Sequence, residues 1–196
     1  TLSANVTTSG TQEYGTTSVS DQTRVGGAVT LQGTTVTFNS LLDDTNTTTP
    51  TNSLSVTGNA VFNGVVGTDP FTTLSVSGDT NLNAASVTTS STQQYGDTTT
   101  SDTTTLGTSV TLAGSTITFT SAVEGSTPST EQLDVTGNVD FDGDVGGGVA
   151  LADIAVTGDL LVDTTGTITN AGAITADTAT ISGTVGGDVA VGDTVT

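Results

Sequence analysis

Apolar and polar residues alternate along this chain in short bursts, and the bursts run into glycine. Leu54-Ser55-Val56-Thr57-Gly58, Leu74-Ser75-Val76-Ser77-Gly78, Leu133-Asp134-Val135-Thr136-Gly137 and Ile154-Ala155-Val156-Thr157-Gly158 are four instances. A two-residue period is that of a strand with one face on a core, and the glycine marks where the chain must bend. The phrase apolar-x-apolar-x-Gly-x-x-apolar starts near Val29, Leu54, Leu74, Val110, Leu133 and Ile154, mostly 19 to 25 residues apart, with one gap of 36. No stretch carries a helical period, and Thr and Val, which suit strands, dominate. The fold class is all-β, with a turn of about 20 residues.

A second, longer period contains the first. Val29-Thr30-Leu31-Gln32-Gly33-Thr34-Thr35-Val36-Thr37-Phe38 returns 81 positions later as Val110-Thr111-Leu112-Ala113-Gly114-Ser115-Thr116-Ile117-Thr118-Phe119. Leu54-Ser55-Val56-Thr57-Gly58-Asn59 returns as Leu133-Asp134-Val135-Thr136-Gly137-Asn138, offset by 79. The two-residue difference falls between Leu41 and Ser53 and between Ala122 and Gln132, segments that each hold one proline (Pro50, Pro128) and read as loops outside the repeated framework. Residues 1–196 therefore read as one repetitive domain with long units at about 1–73, 74–153 and a partial 154–196. Short strands and a 20-residue sub-period favour a parallel β-solenoid (β-helix) over its main competitor, a tandem of immunoglobulin-like sandwiches. Four turns per long unit and some ten coils in all are expected, a rod of roughly 45–50 Å at about 4.8 Å per coil.

Charge narrows the partners. Twenty acidic residues face one basic residue, Arg24, for a formal net charge of -19. Such a surface repels nucleic acid and anionic lipid and attracts divalent cations. No apolar run is long enough for a membrane helix. Arg24 is expected to pair locally with Asp21 or Glu13.

Composition also removes most chemistry. The chain has no Cys, His, Met, Trp or Lys, so a nucleophile–His triad, zinc or copper sites of the usual kind and Schiff-base chemistry lack their parts. Paired carboxylates could serve a polysaccharide-cleaving β-helix, but such a groove normally offers stacking aromatics, and the five Phe fall at inward positions. The expectation is a non-catalytic protein that requires no cofactor. Asp140, Asp142 and Asp144 alternate in Val139-Asp140-Phe141-Asp142-Gly143-Asp144-Val145 and are the candidate calcium ligands. The sister unit carries Val61, Asn63 and Val65 there, so the fold does not depend on an ion in every unit. Tyr14 and Tyr95 share the phrase Thr-Gln-(Glu/Gln)-Tyr-Gly and are the candidate glycan-binding side chains, against the alternative of a ring closing a turn on the core. Gly146-Gly147-Gly148 follows a strand phrase with no helix after it, which argues against a phosphate cradle. Thr35-Val36-Thr37, Thr116-Ile117-Thr118, Thr167-Ile168-Thr169 and Thr178-Ala179-Thr180 would suit an ice-binding face only if stacked in one file.

Leu74-Ser75-Val76-Ser77-Gly78-Asp79-Thr80-Asn81-Leu82-Asn83, followed by Val87-Thr88-Thr89-Ser90 and Gln93-Gln94-Tyr95-Gly96, resembles the repeats of giant secreted bacterial surface proteins, the filamentous-haemagglutinin-like, β-strand-repeat adhesins. The resemblance spans nearly the whole chain and specifies architecture, not ligand. It implies a right-handed β-helix, export to the cell surface or medium, and service as a stalk, adhesin or matrix fibre. The chain reads as an internal segment, with copies of itself or further repeats, end to end, as the expected partners. Surface glycans are the alternative partner.

Overall fold

The computed structural model describes residues 1–18, 20–98, 101–169, 171–186 and 189–195. The described chain is a parallel β-solenoid of about eight turns, with coils about 21 residues apart. Every strand pairs in parallel with one a single turn away, and the pairings sort the strands into three rows along the rod. The first row stacks Val6, Leu31, Val56, Val76, Tyr95, Phe119, Phe141, Val162 and Ile181. The second stacks Gln12, Val36, Ala60, Thr80, Thr104, Val123, Val145, Ile168 and Val185. Thr23, Leu42, Val66, Val87, Leu112, Val135 and Val156 stack in the third. At about 4.8 Å per turn the rod is roughly 40 Å long, shorter than expected, because several turns exceed 20 residues.

Alternation does what the sequence pattern requires. Along Ser53–Phe62 and Gln132–Phe141, Leu54, Val56, Leu133 and Val135 are buried while Thr57 and Thr136 face water. All five Phe are fully enclosed. Two of the long strands, Ala28–Phe38 and Val110–Phe119, run round a corner and so serve two rows each. The corner is made by a register shift at Gly33 and Gly114, opposite Gly58 and Gly137. Gly58 and Gly137 hold φ at +116° and +123°, and a Cβ on either would overlap the carbonyl oxygen of the glycine one turn below. Only glycine combines that dihedral with that approach.

The repeat has a phase that the sequence does not announce. From Leu31 to its copy Leu112 the chain crosses eleven row steps, three turns and two-thirds of another, not the four turns expected. Leu31 therefore lies in the first row and Leu112 in the third. Loops such as 45–52 lengthen particular turns, so about 80 residues cover fewer of them. Each unit is built alike but set one face round the axis from the last.

This offset carries two stacks of rings. Tyr14, Phe38 and Phe62 stack in the second row, with ring centroids 5.5 and 5.4 Å apart. Tyr95, Phe119 and Phe141 repeat the arrangement in the first row at 5.2 and 5.4 Å. Offset ring pairs of this kind contribute about 0.5–1.5 kcal/mol each beyond their buried area.

Candidate functional site

Polar chemistry is concentrated in four places. The first lies at the tyrosines. Gln93 sits inside the coil and donates from Nε2 to the carbonyls of Val87 (3.1 Å) and Ala113 (2.8 Å), while its Oε1 accepts from the Tyr95 hydroxyl at 2.8 Å. Gln12 and Tyr14 repeat the pattern, with Gln12 bridging to the carbonyls of Val6 and Gln32. Tyr95 has no exposed surface, and burial raises its hydroxyl pKa. A ring so placed offers nothing to a sugar, which corrects the glycan expectation at this position. Tyr14 is half-buried against Phe38, and burial raises its pKa too. The phrase supplies the closing tier of an aromatic stack.

Arg24 forms the second. Its Nη2 meets Asp69 Oδ2 at 3.2 Å, Nη1 donates to the Asp44 carbonyl at 2.8 Å and Nε to Gln22 Oε1 at 2.7 Å. Gln22 in turn donates to Asp43, which also accepts from the Asp69 backbone N–H. The ion-pair partner is thus not Asp21 or Glu13 but Asp69, two coils on: in a solenoid neighbouring side chains come from stacked coils, not from nearby in sequence. The ion pair is partly exposed and contributes at most about 1 kcal/mol.

Carboxylates fold back on loops in the third. Asp44, fully buried, accepts from the backbone N–H of Asn46, Thr51 and Asn52 and so closes the Pro50 loop. Glu131 does the same from the far side of the Pro128 loop, accepting from Ser126 Oγ (2.7 Å) and the Thr127 N–H (3.1 Å). Burial works against its charge, but these hydrogen bonds outweigh it and hold the carboxyl below its ordinary value. Glu124 fills the glycine run: its two oxygens accept from the N–H groups of Gly148 and Val149. The anion in that cradle is the chain's own.

The fourth is the acidic edge of the second unit. Asp140 and Asp142 look outward from the strand that buries Val139 and Phe141, and Asp144 lies beyond a bend at Gly143. Among the described residues no group of three or more carboxylates is placed to hold a metal ion. The three calcium candidates thus do not converge. Instead Asp163, one turn above, faces Asp142. Burial first, then the charges of Asp142 and Asp163, raises Asp140; burial and then Asp163 raises Asp142. The importance of Asp163 was not legible in sequence, because its partner lies one turn away. A shallow depression of about 500 Å³ beside Asp140 is lined by Thr116, Asn138, Asp159 and Leu161.

Elsewhere the surface is even. Among the described residues Val65 is the exposed large apolar side chain. Thr35-Val36-Thr37 lies in the second row and Thr116-Ile117-Thr118 in the first, where the following tiers are Asn138-Val139-Asp140 and Asp159-Leu160-Leu161. The threonine pairs make no continuous file. Compared with models of known families, with curated proteins and with solved structures, the chain matches none.

Proposed function

We propose that the chain is a non-catalytic structural repeat of a secreted cell-surface or extracellular fibre or adhesin stalk, able to join further repeats or copies of itself end to end. The observation that carries this reading is the continuous parallel stacking of the three rows through about eight turns, carried from one unit into the next. Each coil is completed by the coil stacked on it, so length is added without a new kind of contact. Polar groups found inside the framework are used to close loops and stacks, which suits a load-bearing part. The resemblance to β-strand-repeat adhesins supports the same reading and implies export from the cell.

Electron microscopy of native material at low salt, with and without millimolar calcium, tests the proposal. Uniform filaments or straight rods whose length follows the number of units would support it. Compact particles, or retention of the protein on a glycan surface with no rod formation, would overturn it.

A further inference from the structure

Half-covered apolar side chains collect on the two outermost coils. Leu2, Val6 and Tyr14 on the first coil, and Val185, Val189 and Val191 on the last described one, pack on the core but are only partly buried. One unit later the copies of the first set are closed. Val87, Gln93 and Tyr95 are buried because a coil lies beneath them, Val87 on Val66 and Gln93-Gln94-Tyr95 on Leu74-Ser75-Val76. Thr104, which follows, rests on Thr80. The molecule thus shows inside itself which coil fits under a Gln-x-Tyr strand: apolar-x-apolar, then Gly78-Asp79-Thr80.

That phrase recurs on the last described coil. Val189-Ala190-Val191-Gly192-Asp193-Thr194 repeats it with one residue fewer before the glycine. Its strand, Val189–Val195, pairs among the described strands with Ile174–Ile181 alone, so its other edge is free to accept a coil. Val185 precedes Val189 by one row, as Val66 precedes Leu74.

We propose that the last described coil seats the first coil of a second copy, with Gln12-Glu13-Tyr14 laid on Val189-Ala190-Val191 and Val6 on Val185. The inference rests on the fibre reading and names its joint. Thr23 then takes the backbone place over Thr194 that Thr104 has over Thr80. Val6 lies in the first row and its copy Val87 in the third. In the second copy Val6 continues from Val185 in the second row, so the one-face step between units carries on across the joint. The two surfaces differ, and a contact of that kind builds a filament instead of closing on itself. Each chain is set one face round from the last, so the filament repeats after three chains. A net charge of -19 on every copy opposes the joint at low ionic strength, and salt favours it.

The test reads the register directly, because the chain has no cysteine of its own. Glu13 and Ala190 are exposed and lie at opposite ends of one rod, so a link between them joins two chains. Stacked strands bring their Cα atoms to about 4.8 Å, within disulfide reach. Under mild oxidation in high salt, Glu13→Cys/Ala190→Cys should give a ladder of linked chains. Two control pairs, also at exposed positions, are Thr7→Cys/Ala190→Cys, one row aside, and Glu13→Cys/Thr175→Cys, one coil lower. Both should link about tenfold less. Preferential linking of the first pair supports the joint. Equal linking in all three overturns it, as does a wild-type chain that stays monomeric in sedimentation at high concentration and high salt. The fibre reading is decided apart from this, by rod length against unit number in electron microscopy. Filaments whose links follow a control pair would leave that reading standing and remove the joint.

Discussion

At the scale of the residue, the informative side chains are polar ones inside the coil. Gln93 is about as buried as the rings beside it, and its loss would leave the Tyr95 hydroxyl without its partner and take a hydrogen bond from each of two carbonyls. Gln93→Ala should therefore cost about 3–5 kcal/mol in urea unfolding. Gln12→Ala should cost clearly less, since Tyr14 is only half-buried; equal losses would remove the argument from burial. Glu131 gives a pH signature opposite to that of Asp140 and Asp142, whose raised values add stability as pH falls. Its folded pKa is depressed, so its contribution is present above the unfolded value of about 4.3 and is lost as pH falls through the folded one. Stability measured against pH should rise on the acid side of neutrality and then fall, and Glu131→Gln should flatten that final fall. An unchanged acid limb in Glu131→Gln would show that the carboxylate does not hold the Pro128 loop.

At the scale of the element, strand and corner are both written in the local pattern. The alternation in Leu54-Ser55-Val56 and its glycine sufficed to predict a half-buried strand that bends at Gly58, because those requirements are local. What alternation could not say is that Ala28–Phe38 continues through its bend and serves two rows. Nor could it say that Arg24 would meet Asp69, since a partner two coils away has no fixed sequence distance when turns vary from 15 to 25 residues. The corner yields a sharp contrast between glycines. Gly137→Ala forces a side chain into φ +123° and onto the Gly114 carbonyl, and should cost about 3 kcal/mol or more. Gly10, with open space around it, should accept alanine within about 0.5–1 kcal/mol. Chemical denaturation of the two variants side by side measures the difference, and comparable losses would mean that the corner yields.

At the scale of the whole molecule, neighbouring coils recognise each other by sequence, and the faces of the rod follow from that. Leu31 rests on Val6, and its copy Leu112 rests on Val87, the copy of Val6, though the two pairs occupy different rows. Phe38 rests on Tyr14 as Phe119 rests on Tyr95. Removing residues 29–109 would bring Leu112 onto Val6 and Phe119 onto Tyr14, each with a partner of the kind it already has. Everything downstream would turn by one face, and the stacking of core residues between coils would keep its type, while Arg24 would lose Asp69. Removing residues 32–95 takes out three whole turns and keeps every later row in place, but it sets Leu106 on Tyr14 and deletes the corner at Gly33. If stacking chemistry governs the fold, the first deletion should unfold in one cooperative transition, with a urea m-value reduced roughly in proportion to length. The second should be the less stable of the two, or fail to fold, despite retaining more of the chain. The reverse order would mean that the rows, and not the matched coils, carry the architecture.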